Sequence, residues 1–308
     1  MAFFTSRRSR TAMFWPFFSS IPCTTRSASW LELISDLIKS VGKTVFLKQV
    51  QYYLMQSNIS TKYKTEFPER IHLPECQSTN DELMALAQSK REEIPEGFVL
   101  STDFQSAGRG QRGSVWVSDP ACNLLFSIYL RPQFLEARFA FRLSASIALG
   151  IALVLEEHCP DLKLKWPNDI FSGNRKMGGI LIETALSGMF VDRAVAGIGL
   201  NINQVGLPEN AVSLLDITGK TSDREELLNL IRNSVLNQYQ LLRDGGWEAI
   251  RSKYIARLYR LAMPAKYSLP DGSRFTAVLK SIGEQGELIL ICQDGEKNFQ
   301  FKEVVFEV

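Results

Sequence analysis

Histidine is nearly missing from this 308-residue chain, which holds only His72 and His158. A histidine-rich metal centre is thereby excluded. The five cysteines (Cys23, Cys76, Cys122, Cys159 and Cys292) include no C-x-x-C pair, so the spacing of a Cys/His zinc site is lacking too. Scattered thiols in odd number offer no disulfide framework and fit a reducing, cytoplasmic compartment. No uninterrupted apolar run reaches the roughly 18 residues of a membrane helix, and the expectation is a soluble protein with no membrane partner. Acidic residues are absent from the first 31 positions, which carry Arg7, Arg8, Arg10, Arg26 and ten Ser or Thr. That is the composition of an organelle transit peptide, with an overlong reading frame that truly starts at Met13 or Met55 as the competing explanation.

What is present is a globular composition, 45% hydrophobic, long enough for one large domain and something smaller. The net charge of +2 conceals an asymmetry, because residues 1–66 carry nine Lys/Arg against three Asp/Glu. The remainder is mildly acidic. A nucleic-acid partner calls for a basic face, so DNA is not expected to bind the body and could meet only the first 66 residues. Residues 30–56 include helical patterning through Trp30, Leu33, Ile34, Leu37 and Ile38.

From Phe67 the pattern is α/β. Ser78 and Thr79 precede a helical face of Leu83, Leu86 and Ala87, so one of the two hydroxyls is an N-cap candidate. Phe98–Thr102 and Asn123–Leu130 read as buried strands, and Arg138–His158 as a long helix. Leu162, Leu164 and Trp166 alternate with lysines in a half-exposed strand that Pro167-Asn168-Asp169 ends. Met177–Thr184 and Ala194–Asn201 read as glycine-marked strands. Asp223–Tyr259 reads as two helices split by Gly245-Gly246, and Ala262–Val308 as short strands forming a small barrel.

Gly108-Arg109-Gly110-Gln111-Arg112-Gly113 matches the dinucleotide fingerprint G-x-G-x-x-G, but that fingerprint must open a helix, and here Ser114–Val117 follows. A P-loop would need a Gly-Lys-Ser/Thr ending. What remains is a mobile backbone with two positive charges, suited to closing over a phosphate. Lys165-Trp166-Pro167-Asn168-Asp169 puts an amide and a carboxylate at a strand end, and Arg175-Lys176-Met177-Gly178-Gly179 follows one hairpin later. Either motif alone suits a solvated surface turn. The glycines of Gly197-Ile198-Gly199-Leu200-Asn201 could mark only a bulge.

Taken in order with Ser78-Thr79-Asn80, Gln105 and Trp116, these motifs resemble those of the biotin-protein ligases over Phe67–Val308. The resemblance implies a mixed α/β catalytic domain similar to class II aminoacyl-tRNA synthetases (67–260), then a small SH3-like β-barrel (261–308), after an N-terminal extension (1–66). It implies that ATP and Mg²⁺ are used to make biotinyl-adenylate, and that biotin passes to a lysine of a biotin carboxyl carrier protein or domain of a biotin-dependent carboxylase. A monomer or homodimer is expected. Ser78, Thr79, Asn80 and Gln105 would hold biotin, with Gly108, Arg109 and Gly110 folding over it and Gly179 admitting it close to the backbone. Gln111, Arg112, Trp116, Asn168 and Asn201 would face ATP. Lys176 would meet the biotin carboxylate and the reacting phosphate, and Asp169 the incoming lysine, with Arg109 and Arg112 offsetting charge. Many members of the family have arginine where this loop has Gln111.

The chemistry asks for such residues. An anionic carboxylate must attack a polyanion, so cations have to converge. A lysine amine with a pKa of about 10.4 is neutral in only roughly one molecule in a few thousand at pH 7, so a carboxylate that positions it and takes its proton helps the second step. Three other readings compete. A lipoate-protein ligase would need a Gly-Gly-x-Ala-Gln strand where Gly178-Gly179-Ile180-Leu181-Ile182 stands, a DNA-binding repressor would draw on the basic N-terminus, and a non-catalytic adenylate sensor would have lost Lys176 or Asp169.

Overall fold

The alternation of apolar residues along the central strands decides which side chains meet on each face of the sheet. The computed structural model describes residues 69–90 and 93–307, apart from the side chain of Arg112. The basic segment, the transit-like stretch and the helical patterning over 30–56 lie outside the described residues. Strands β1 (Arg70–Cys76), β2 (Val99–Gln105), β3 (Leu124–Leu130), β4 (Leu162–Lys165), β5 (Asp169–Ser172), β6 (Arg175–Ser187) and β7 (Phe190–Leu200) form a seven-stranded sheet in the order β1-β2-β3-β7-β6-β5-β4. Only β1 and β2 run parallel, so the sheet is mixed. A parallel pair needs a crossover, which helix α1 (Thr79–Ser89) supplies.

Val99, Phe126, Ile128, Ala196 and Ile198 point to one face and join the main apolar core, whereas Leu100, Tyr129 and Val195, one residue out of phase, join a smaller cluster with Leu83 and Ala87 of α1. The main face is covered by α2 (Ala140–Leu155), α4 (Arg224–Arg243) and α5 (Trp247–Ala256). A short helix, α3 (Leu214–Thr218), lies between α2 and α4 in the chain and has a Ser213/Asp216 capping box.

Five strands, β8 (Pro264–Ser268), β9 (Arg274–Ile282), β10 (Leu288–Cys292), β11 (Gly295–Phe299) and β12 (Val305–Phe306), make a second, antiparallel sheet in the order β11-β10-β9-β8-β12. Tyr267, Leu279 and Leu290 of this sheet belong to the same apolar core as α2. The seam is specific. Trp166, only 4% exposed, donates from Nε1 to the Gly286 carbonyl at 2.9 Å, and Arg142 of α2 pairs with Glu284 at 2.9 Å. Both sheets lie within one compact unit, Glu66–Val308.

Several expectations need adjustment. The strand β1 has no clear alternation in sequence, since its burial is irregular along an edge of the sheet, and it was not anticipated. Residues 137–155 do have the length and mean hydropathy, 1.7, of a membrane helix once the interrupting arginines are allowed. Ten of the sixteen residues of α2 are buried, which is how the core helix of a folded domain satisfies the same criterion. That helix is shorter than Arg138–His158 because a 3-10 turn, Ala137–Phe139, leads into it and a turn follows Leu155.

Helices α2 and α4 touch at Gly150, where an added Cβ would sit 2.6 Å from the Val235 Cα. Gly150→Ala gains up to about 1 kcal/mol of helix propensity but forces backbone apart, which costs about 1–3 kcal/mol. Net destabilisation of up to about 2 kcal/mol is expected in urea unfolding, and a stabilised variant would contradict this packing.

Candidate functional site

On the α1 face of the sheet, β6 and β7 present Gly179, Gly197 and Gly199, and a cavity of about 490 Å³, counted with its open mouth, lies over them. An added Cβ at Gly197 would collide with Oδ1 of Asn80, and one at Gly199 would lie 2.7 Å from Cε2 of Trp116. The pairing of β7 with β3 and β6 runs through both glycines without a register shift. They mark close approach, not a bulge.

Helix α1 enters with Ser78 as N-cap, its Oγ accepting from the Asp81 N–H at 3.4 Å. This places Thr79 and Asn80, both 3% exposed, at the cavity wall. The Thr79 N–H donates to Oε1 of Gln105 at 2.8 Å, and Ser127 of β3 lies 2.7 Å from both Thr79 Oγ1 and Asn80 Oδ1. The glycine-rich loop opens no helix beyond the single 3-10 turn Gln111–Gly113, in which Arg112 sits. It closes as a narrow hairpin through Gly110 N–H to Ser114 O (2.7 Å) and Trp116 N–H to Gly108 O (3.0 Å). Arg109, Gly110, Gln111 and Trp116 line the cavity.

The charges are arranged differently from expectation. Arg109 is held by Asp81 and, at 3.0 Å, by Glu183 of β6, so its charge is shared with two carboxylates. Lys176 lines the cavity, pairs with Asp169 at 2.6 Å and lies 5.9 Å from the Trp116 ring centroid. Gly179 lies beside this pair, and an added Cβ there would make ordinary van der Waals contact with Asp169 Oδ1 and Lys176 Nζ at 3.4 Å. Asn168 also lines the cavity and donates to the Ile180 carbonyl at 2.8 Å. Lys165, which no reading of the sequence assigned, lies 4.6 Å from the Phe171 ring, 5.9 Å from Tyr259 and 5.7 Å from Phe306. Burial pushes its pKa down, and the Asp169 carboxylate opposes that shift.

Of the residues singled out in the sequence, Ser78, Thr79, Asn80, Gln105, Arg109, Gly110, Gln111, Trp116, Asn168, Lys176 and Gly179 share this one cavity. Gly108 and Asp169 flank it, each touching a lining residue. Asn201 is buried at the end of β7, where its backbone bonds Met177 and Leu214, and it is not among the lining residues. Ile180, Leu181, Gly197, Ile198 and Gly199, quoted in motifs but given no ligand, also line the cavity. Pairing of β6 with β7 brings them together, a register that strand periodicity alone does not fix.

Residues 73–201 match the model of the biotin/lipoate A/B protein ligase family. The biotin–[acetyl-CoA-carboxylase] ligase of Paracoccus denitrificans is 32% identical over 246 residues, covering 76% of this chain and 99% of that protein. This chain belongs to the biotin-protein ligase family. The bifunctional ligase/repressor BirA of Escherichia coli is 31% identical over 72% of this chain and 69% of its own length. Among solved structures, biotin protein ligase from Aquifex aeolicus, in complex with biotin and ATP, superposes with a TM-score of 0.66 at 28% identity, covering 78% of this chain and 99% of that one. The mixed α/β architecture is thus that of biotin-protein ligases.

Because the indole of Trp116 rests on Gly199, a methyl group there would displace it from the ligase cavity. Gly199→Ala is expected to keep the native circular dichroism spectrum while kcat/KM for biotin falls by about 10- to 100-fold. Unchanged kinetics would show that Trp116 is not positioned by this contact.

Proposed function

We propose that this ligase joins biotin to ATP through the cavity on β6 and β7, and then passes the biotinyl group to a lysine of a biotin carboxyl carrier domain. The observation that carries this reading is the Lys176–Asp169 pair, 2.6 Å apart, whose lysine shares a cavity with uncharged donors and acceptors at Thr79 and Gln105. One end of the cavity suits a neutral polar ring and the other an anionic reaction centre.

In the first step the biotin carboxylate oxygen attacks the α-phosphorus of ATP, an acyl-phosphate bond forms and pyrophosphate leaves. Lys176 places a positive charge where the carboxylate and phosphate repel one another. In the second step the carrier amine attacks the acyl carbonyl, and AMP departs with the bonding electrons. Asp169 already holds one ammonium, so exchanging Lys176 for the carrier lysine would orient that amine and accept its proton. Among the described residues no group of three or more His, Cys, Asp and Glu could hold a metal. A Mg²⁺ would be carried by the nucleotide phosphates, where it would neutralise charge on the triphosphate. Asn168 and Trp116 are assigned to the nucleotide side, and the five-stranded sheet to an SH3-like barrel following a catalytic domain related to class II aminoacyl-tRNA synthetases.

Pyrophosphate exchange into ATP is expected to depend on biotin and not on lipoate, and equal exchange with both would overturn the assignment. Lys176→Ala should abolish exchange, whereas Asp169→Ala should slow transfer from purified adenylate by more than it slows exchange. A variant at Asp169 with unimpaired transfer would remove that residue from the second step.

Gln111 can donate a neutral hydrogen bond of about 0.5–1.5 kcal/mol, where an arginine would supply a charge-assisted one of about 1.5–3 kcal/mol. Gln111→Arg is therefore expected to slow biotinyl-adenylate release about tenfold and to reduce labelling of bystander lysines. Off-rates from stopped-flow chase, identical for the two proteins, would show that the loop is clamped by other groups.

A further inference from the structure

We infer that Ser127 and Glu183, which no sequence motif singles out, set the hydrogen-bond polarity of the cavity and select a ligand edge carrying an N–H beside a C=O. This rests on the reading that the cavity takes biotin, whose ring urea has such an edge.

The chain of logic begins at Asn80. Its Nδ2 donates to the Leu181 carbonyl at 3.1 Å and to Glu183 Oε2 at 2.9 Å. Both partners are acceptors, and Glu183 is the carboxylate that also holds Arg109, so flipping the amide would set oxygen against oxygen twice. The Asn80 Oδ1 therefore faces Ser127 Oγ, 2.7 Å away. An amide oxygen only accepts, so Ser127 spends its single proton there. Ser127 Oγ is also 2.7 Å from Thr79 Oγ1, and that contact must then be filled by the Thr79 proton. Turning the Thr79 proton instead to Gln105 Oε1, 3.2 Å away, would leave two lone pairs facing each other across the shorter gap.

Thr79 Oγ1 is left with lone pairs alone for a ligand. Gln105 is oriented independently, because the Thr79 backbone N–H donates to its Oε1 at 2.8 Å. Its amide nitrogen, beside Gly108, is left to donate. The cavity thus offers an acceptor next to a donor, the complement of a urea N–H and C=O. A 1,2-dithiolane ring has neither group and would leave both protein groups unmatched. Ser127 is fully buried, which keeps water from replacing its proton. Ser127 and Glu183 act through Thr79 and Asn80, as positioning residues.

The test measures binding to the full chain by calorimetry, using biotin and the two cyclic carbamate analogues in which one ring N–H is replaced by oxygen. The unmodified chain is expected to bind at least one carbamate about tenfold or more weakly than biotin. Equal binding of biotin and both carbamates would overturn the relay without any variant. Ser127→Ala frees the Thr79 proton to turn and should bring the ratio down to about threefold or less. In a Thr79→Val background, Ser127→Ala should produce no further change in that ratio. A Ser127 effect of equal size in both backgrounds would mark simple packing and overturn the inference. Failure of the unmodified chain to bind biotin at all would overturn the proposed function, whereas biotin binding without this selectivity would overturn the relay alone.

Discussion

How near side chains can come to β7 governs the site, and glycine sets that distance at 197 and 199. On a pleated strand every second residue projects to the same face, so Gly197 and Gly199 clear two adjacent positions on β7, with Gly179 beside Gly199 on β6. Asn80 and Trp116 occupy the space so released, and the Lys176–Asp169 pair lies against Gly179. Glycine within a strand costs about 0.5–1 kcal/mol relative to alanine. The sheet offsets that cost through the buried apolar residues on its opposite face, where Ala196, Ile198 and Ile180 pack under the helices.

The electrostatics follow from the same geometry. Glu183 and Asp81 approach from a strand and from a helix start, and Arg109 bridges them. This ties the glycine-rich loop to the cavity wall, while Lys176, a second lining cation, pairs with Asp169, the carboxylate proposed to pass to a second ammonium. Lys165, the register partner of Asp169 across β4 and β5, feels the charges of that pair. Aromatic rings from β5, the α5–β8 connection and β12 surround its ammonium, compensating by cation–π attraction for the hydration lost on burial.

The second sheet contributes to the site without lining its cavity. Trp166, in the motif that carries Asn168 and Asp169, is anchored to Gly286, and β4 bonds the chain at Arg257 and Tyr259 as it leaves α5. Loosening the seam would therefore displace the turn that presents Asp169. A shift of about 1 Å in a reacting group is enough to cost orders of magnitude in rate.

The motifs, their order and most of the elements between Phe98 and Tyr259 could be read from the sequence, because helical and strand periodicities are local and glycine-rich turns are conspicuous. The hydroxyl before α1 and the two helices split at Gly245-Gly246 are examples. An edge strand with irregular burial, β1, left no such trace. The carboxylates that hold Arg109 were not legible in the sequence, because they are 28 and 74 residues distant in the chain. The glycines of β7 looked the same as bulge glycines until Asn80 and Trp116 were seen against them. Ser127, an unremarkable serine in a buried strand, acquires its role only from neighbours 47 and 48 residues away. The sequence by itself determined which chemical groups this protein possesses and which short elements carry them. Tertiary structure alone decided which charges are already paired and which way each buried proton points, since both depend on distances between residues far apart along the chain.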